Sequence, residues 1–240
     1  MAVVTLTTDF GSGSPYVAAM KARLLAACPG ATLVDVAHDL PSFDIGAAAF
    51  VLWAGTRDFG GPGHVHLAVV DPGVGTGRRA VAVEVRSGAF YVAPDNGLLE
   101  FALRHLDPSR VVSLAVPAEA APTFHGRDVF APAAGWLAAG ADLSLLGAPA
   151  EGLVRLPDSG AVVLWVDTFG NVVTGLQVMP AGVRIGGRLV TRRAATYGAA
   201  PVSEPFLYLG SLGYVEIGVR QGRADEELGL RIGSAIQILT

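Results

Sequence analysis

The sequence predicts two domains of different class. Residues 1–156 read as a layered α/β domain with a central, mostly parallel sheet, and residues 161–240 as a smaller, mostly β domain. Three observations predict this. Strand-like apolar runs alternate with helix-like segments up to about residue 155, the pattern of an α/β layer. Beyond that point short strand-like runs follow one another with a single hint of helix. Half of the 240 residues are apolar and 16% are charged, so a sizeable core is expected, while 31 glycines and 15 prolines imply many tight turns.

Residues 2–6 form a first apolar strand, closed by Thr7-Thr8-Asp9-Phe10-Gly11. A helix then begins with Ser14 as N-cap and Pro15 at its first position. Val17, Met20, Leu24 and Ala27 give that helix one apolar face, and Pro29-Gly30 ends it. Further strands are expected at 32–36, 64–70 and 80–85, and helices at 44–53, 96–103 and 128–139. A boundary falls near residues 156–160. Strands at 162–166 and 172–176 follow, joined by Asp167-Thr168-Phe169-Gly170-Asn171, then runs at 183–185, 206–209, 214–217 and 235–239, with a helical turn at 225–228.

The totals exclude several function classes. A net charge of −4 provides no clustered basic face for nucleic acid. The single cysteine, Cys28, forbids an intrachain disulfide and suits a reducing compartment. No apolar run approaches the roughly 20 residues that span a bilayer, and no basic signal-peptide start is present. A cytoplasmic protein with no membrane partner is expected.

Two glycine-rich segments carry the chemistry. Asp71-Pro72-Gly73-Val74-Gly75-Thr76-Gly77-Arg78-Arg79 and Thr123-Phe124-His125-Gly126-Arg127-Asp128 together offer an acid, a guanidinium and an imidazole, enough to activate a water without a metal. Asp71 follows an apolar strand and so sits at its carboxyl end, where α/β sheets bind ligands. One of Arg78 and Arg79 can fold back on it while the other is solvated. A surface ion pair in a glycine turn accounts for Asp71 equally well, and a buried, hydrogen-bonded histidine for His125. Gly11 and Gly13 imitate a dinucleotide fingerprint, but Tyr16 occupies the third glycine position and Asp9 would face a pyrophosphate with like charge. A strand-end carboxylate such as Asp9 suits ribose hydroxyls, or simply forms a turn. His64 and His66 share one strand face without supporting ligands, so no metal site is expected; His38 and His105 read as loop or surface residues. Asn171 can pair with a nucleobase edge while Phe169 or Tyr197 supplies a stacking face, and Ser211-Leu212-Gly213 offers a hydroxyl and amides to a carboxylate. Ordinary turns explain both segments equally.

Taken as a set and in this order, Thr7-Thr8-Asp9-Phe10-Gly11, Asp71-Pro72-Gly73-Val74-Gly75, Pro94-Asp95-Asn96-Gly97, Thr123-Phe124-His125-Gly126-Arg127-Asp128 and Phe169-Gly170-Asn171 closely resemble the S-adenosyl-L-methionine hydroxide adenosyltransferases. These are hydrolase relatives of the fluorinase and chlorinase enzymes, and the resemblance runs from Val4 to about Ile238. It implies an N-terminal α/β domain, a C-terminal β-barrel-like domain contributing the adenine site, and a homotrimer with its ligand between neighbouring subunits. The implied reaction is cleavage of S-adenosyl-L-methionine by water at the ribose C5′, giving adenosine and L-methionine, with no cofactor. Asp71, Arg78 and His125 match the set that holds the water. Asp9 matches the ribose-binding carboxylate; Phe169, Asn171 and Tyr197 match the adenine site. Ser211, with Leu212 beside it, falls where the methionine carboxylate is bound. Phe43 and Phe124 are further expected substrate contacts. Two residues depart from the pattern: Ser14 stands where many relatives carry an aspartate near the methionine ammonium, and Arg220 replaces a common asparagine. Ser14 as a helix cap would leave the ammonium to another group such as Asp167. Halide-dependent adenosyl transfer and a non-catalytic S-adenosylmethionine or adenosine sensor are the alternatives.

Overall fold

A computed structural model describes residues 2–157 and 160–239; Asp158 and Ser159, within the boundary segment expected from the sequence, lie outside the described residues. The chain divides into two compact units, residues 1–156 and 157–240. The first contains β1 (Val3–Thr8), α1 (Pro15–Ala27), β2 (Thr32–Ala37), α2 (Ile45–Thr56), β3 (His64–Val69), β4 (Ala80–Val85), β5 (Phe90–Pro94), α3 (Glu100–His105) and β6 (Pro108–Leu114). A π-helical turn over Gly126–Phe130 then runs into α4 (Ala131–Ala138), and β7 (Gly147–Pro149) closes the unit.

Its seven strands form one sheet in the order β2-β1-β3-β5-β4-β6-β7. The expectation of a mostly parallel sheet needs correction. β1 is parallel to β2 and β3, and β3 to β5, but β4 is antiparallel to both β5 and β6, and β6 to β7. The physical reason is connection length: residues 86–89 join β4 to β5 and are too few for a crossover, so the chain must return as a hairpin.

Local chemistry sets the helix ends. Ser14 caps α1, its Oγ accepting the Tyr16 N–H at 3.2 Å. Asp44 caps α2 through the Ala47 N–H at 2.9 Å. α3 starts later than its sequence suggests, because Asn96 is spent on a turn. Its Oδ1 accepts the Leu98 N–H and its Nδ2 donates to the Val70 carbonyl at 2.9 Å. Met20 and Leu24 of α1, with Val129, Phe130, Ala134 and Leu137, pack on Val4, Leu6, Val65 and Leu67 of the sheet. Strand alternation sends Thr5 and His66 to the other face. There the His66 ring bonds Thr5 Oγ1 at 2.9 Å through Nδ1 and the Phe59 carbonyl at 3.0 Å through Nε2. Burial pushes its pKa down to about 4. Both nitrogens are engaged, so this histidine is part of the packing. His38, read as a loop or surface residue, does lie in the bend after β2 but is buried, with Nδ1 2.8 Å from Thr8 Oγ1.

The second unit contains β8 (Val163–Val166), β9 (Val172–Thr174), β10 (Gly182–Ile185), β11 (Arg188–Val190), β12 (Pro205–Leu209), β13 (Val215–Val219), α5 (Ala224–Leu228) and β14 (Gln237–Leu239). They make a four-stranded sheet, β12-β13-β9-β8, and a three-stranded sheet, β11-β10-β14, both antiparallel. Val163, Val172, Val183, Ile185, Leu207, Val215 and Ile217 from the two sheets share one core with Ala224 and Leu228 of α5. Among the described residues no helix is long and apolar enough to cross a membrane.

Candidate active site

β1 lies between β2 and β3, so chain direction through the sheet reverses there, and loops leaving the carboxyl ends of β1 and β3 diverge to leave a crevice. Thr8 and Val69 are paired at that edge, which places Asp9 and Asp71 just beyond adjacent strand ends. A cavity of about 310 Å³ opens here, lined among others by Asp9, Phe43, Asp71, Phe124 and His125.

Asp71 and Arg78 form the most enclosed ion pair of the site, their side chains only 5% and 9% exposed. Arg78 Nε donates to both carboxylate oxygens, at 2.9 and 3.0 Å, and Nη2 donates to Oδ2. The same Nη2 lies 3.1 Å from His125 Nδ1. A guanidinium only donates, so Nδ1 carries the lone pair and the ring proton resides on Nε2. Burial lowers the His125 pKa first, then the Arg78 charge; Asp71 and Asp128 oppose this less strongly. The Arg78 guanidinium also stacks over the buried Phe130 ring at 5.1 Å. The surface ion pair entertained for Asp71 is thereby excluded.

Backbone geometry holds the trio together. Gly75 has φ +74°, and a Cβ there would stand 2.4 Å from the Pro122 carbonyl, so the loop carrying Asp71 and Arg78 closes directly on the loop leading to His125. Asp128 fastens the second loop by accepting the Ala121 N–H at 3.0 Å, and its bonds from Arg127 pull its pKa down to about 2. Arg79 is not solvated as expected. It donates to Asp95 and to the carbonyls of Glu151 and Gly152, tying a distant segment to the sheet.

Asp9 spends Oδ2 on the Phe43 N–H at 2.9 Å. Phe43 itself is held at φ +64°, a costly conformation for a large side chain, and its ring is 68% exposed. Phe124 belongs to a three-ring cluster with Phe10 and Tyr16, all pairs edge-to-face with centroids 5.2–6.0 Å apart. Ser14 is not among the residues lining the cavity; capping α1 accounts for it.

In the second unit Asp167, Phe169 and Asn171 share the β8–β9 turn. Asp167 Oδ1 accepts the N–H groups of Phe169 and Asn171, both at 2.9 Å, and Oδ2 accepts Asn171 Nδ2 at 2.8 Å. Phe169 is 76% exposed and Tyr197 40% exposed. Ser211 and Leu212 lie in the β12–β13 turn, closed by the Gly213 N–H to the Gly210 carbonyl at 3.0 Å.

Two family models cover most of the chain: the SAM hydroxide adenosyltransferase N-terminal domain matches residues 4–147, and its C-terminal domain residues 161–237. The chain belongs to the SAM hydroxide adenosyltransferase family. It is 44% identical over 260 residues to the (R)-S-adenosyl-L-methionine hydrolase of Thermus thermophilus, covering all of both chains. It is 40% identical to the enzyme of that name from Salinispora arenicola, covering 98% of this chain and 97% of the other. An uncharacterized conserved protein from Thermotoga maritima has the same fold, with TM-score 0.90, 30% identity and coverage of 99% and 100%.

In this member of the family the cavity is also lined by Phe10 and Tyr16, to which the sequence alone assigns no binding role. In the sequence Tyr16 reads only as an obstacle to dinucleotide binding, and Phe10 only as part of a motif. Helical spacing from the Ser14 cap places Tyr16 at the start of α1, beside the cavity mouth, which is the signal that could have found it.

Proposed function

We propose that this SAM hydroxide adenosyltransferase hydrolyses S-adenosyl-L-methionine to adenosine and L-methionine, by in-line attack of a water at the ribose C5′. The observation that carries the reading is the Asp71–Arg78–His125 cluster at the rim of the β1/β3 crevice. The leaving group is a neutral thioether departing from a sulfonium, so the substrate already bears the positive charge that draws the nucleophile. Water, with a pKa of about 15.7, is a poor nucleophile unless oriented and partly relieved of a proton. Asp71 is the natural acceptor of that proton. Arg78 occupies three contacts on the carboxylate, and Oδ1, which takes only one of them, keeps a lone pair for the water. His125, with Nδ1 engaged by Arg78, offers Nε2–H to the water oxygen. This geometry favours His125 as the group that orients the water and leaves its proton to Asp71.

Asp9 is assigned to the ribose hydroxyls through Oδ1, since Oδ2 holds Phe43. Phe10, Tyr16 and Phe124 supply aromatic surface for the sulfonium, an attraction of cation–π kind. Phe169, Asn171 and Tyr197 are assigned to the adenine, Ser211 and Leu212 to the methionine carboxylate. Asp167 is the candidate for the ammonium, because Ser14 is neutral and committed to α1. The reading invokes no cofactor and no metal. It includes a cytoplasmic homotrimer and a barrel-like second unit. Isolated bridges Val162–Ala235 and Arg193–Leu207, which link the edges of its two sheets, support the barrel.

The test is chromatography of the purified protein incubated with S-adenosyl-L-methionine. Equimolar adenosine and methionine are expected. Methylthioadenosine, or intact substrate after long incubation, overturns the reading. Sedimentation equilibrium tests the trimer.

A further inference from the structure

One hydrogen-bonded chain in the second unit links Tyr197, assigned above to the adenine, to two residues given no role so far. Tyr197 Oη lies 2.6 Å from Tyr208 Oη, and the Tyr208 O–H donates to Glu216 Oε2. Tyr208 and Glu216 are directly opposed across β12 and β13, so the contact is built into the hairpin register. The rings of Tyr197, Phe206 and Tyr208 pack together with all three centroid separations at 5.4 Å. β13 makes room for them with Gly218, where a Cβ would stand 3.1–3.3 Å from all three rings.

The backbone beneath Tyr197 is clamped separately. Tyr197 opens a single helical turn, Tyr197–Ala199, in a segment joined to its surroundings by few backbone bonds. Arg220, immediately after β13, donates from Nη1 to the carbonyls of Gly198 at 3.2 Å and Ala200 at 3.1 Å. The phenol of this exposed aromatic is thus held through Tyr208 of β12 and Glu216 of β13, and its backbone by Arg220 just beyond β13.

An exposed ring left free would have to be ordered when a flat ligand stacks on it, and that ordering weakens binding. We propose that Tyr208, Glu216 and Arg220 are positioning residues that pre-set the Tyr197 ring as a platform for the purine, governing affinity for the nucleoside end of the substrate and leaving the bond-breaking step to other groups. The proposal rests on the assignment of adenine to Tyr197. It also gives Arg220, a departure from the family pattern, a defined task.

The test uses the full-length protein, with adenosine and L-methionine binding measured separately by calorimetry alongside steady-state hydrolysis. Removing one hydroxyl of the chain, as Tyr197→Phe or Tyr208→Phe, is expected to weaken adenosine binding about 3- to 10-fold, the worth of one hydrogen bond. Because both act on the same chain, the double variant loses no more than either single one. Arg220→Asn weakens adenosine similarly, methionine affinity stays unchanged, and the effect in hydrolysis falls on KM with kcat held within about twofold. Glu216→Gln, whose amide oxygen still accepts, loses less than Glu216→Leu. Unchanged adenosine affinity in Tyr208→Phe, or losses that multiply in the double variant, overturns the proposal. Should Tyr208→Phe fail to fold, Tyr197→Phe and Arg220→Asn decide it alone: unchanged affinity in both overturns it. Wild-type protein that makes no adenosine at all would instead sink the functional reading, so the two failures are distinct.

Discussion

Arg78→Lys tests the centre of the mechanism while leaving the fold in place. The guanidinium hydrogen-bonds to both Asp71 and His125: Nε spans the carboxylate at 2.9 and 3.0 Å, and Nη2 bridges from Oδ2 to His125 Nδ1 at 3.1 Å. A lysine ammonium keeps the positive charge beside the enclosed Asp71, so the loss of about 3–5 kcal/mol expected from an unpaired buried charge is avoided. What it cannot reproduce is the planar fork. One ammonium reaches one carboxylate oxygen, and the bridge to His125 is lost. Charge-assisted bonds contribute about 1.5–3 kcal/mol each, and the portion felt in the transition state resembles the removal of one oriented donor, roughly 10²–10³ in turnover. We therefore expect kcat to fall by about that factor, equivalent to about 2.7–4 kcal/mol, with KM changed only a few-fold. The assay is adenosine release at saturating S-adenosyl-L-methionine, read by chromatography, with thermal unfolding as the control for fold. A variant with kcat within tenfold of wild type and an unchanged unfolding midpoint would refute the bridging role of the guanidinium.

Other outcomes follow from the same geometry. His125→Ala should lower turnover about 10²–10³-fold, the effect of losing one oriented donor, while substrate binding persists, checked by single-turnover kinetics against equilibrium binding. The His125 pKa lies below its ordinary 6.5, so the neutral ring that accepts from Arg78 persists somewhat below that pH. The acid limb of kcat/KM should fall below about 6.5, and a limb centred above it contradicts the assignment. The unfolded chain protonates first as pH drops, so this histidine's contribution to stability starts to be lost at its ordinary value and is gone once pH has fallen through its lower folded value. Gly75→Ala places a Cβ against the Pro122 carbonyl at a positive φ and should destabilise the protein by about 1–3 kcal/mol, visible as a lowered unfolding midpoint. Fluoride or chloride added to the reaction should yield no halogenated nucleoside.

The parts of this molecule that were legible in sequence are those fixed by local chemistry. The Ser14-Pro15 start of α1, the carboxyl-end position of Asp71 and the strand-turn-strand around Phe169-Gly170-Asn171 all depend on neighbours within a few residues. What was not legible depends on pairing at a distance. β6 begins Pro-Ser-Arg and becomes a strand only because β4 receives it, and β7 is three residues of Gly, Ala and Pro recruited by β6. Arg79 looked solvated because its partners, Glu151 and Gly152, lie more than seventy residues away. The loop position of His38 was legible but its burial was not, because nothing near it in sequence reveals Thr8 on the neighbouring strand. The Tyr208–Glu216 pair is intermediate: once a hairpin is centred on Leu212, its register places the two residues opposite each other.

The groups assigned to the water also argue against halide as the nucleophile. At the rim of the crevice the incoming atom meets the Asp71 carboxylate, which can accept a proton from water but has nothing to accept from a halide ion. Two anions are brought together in a nearly buried position, and in a low-dielectric site that repulsion is screened far less than in bulk solvent. The Arg78 charge offsets part of that repulsion, but the donors of Nε and Nη2 are already directed to Asp71 and His125 and cannot also hold a halide. Discrimination of this kind works by penalising the wrong ligand as much as by rewarding the right one. It follows that Asp71→Asn should lose hydrolysis and, with the charge gone, become the variant most permissive to halide. Measuring adenosine and halogenated nucleoside from that variant in the same reaction separates this account from one in which Asp71 merely shapes the loop: a purely structural role lowers both products together.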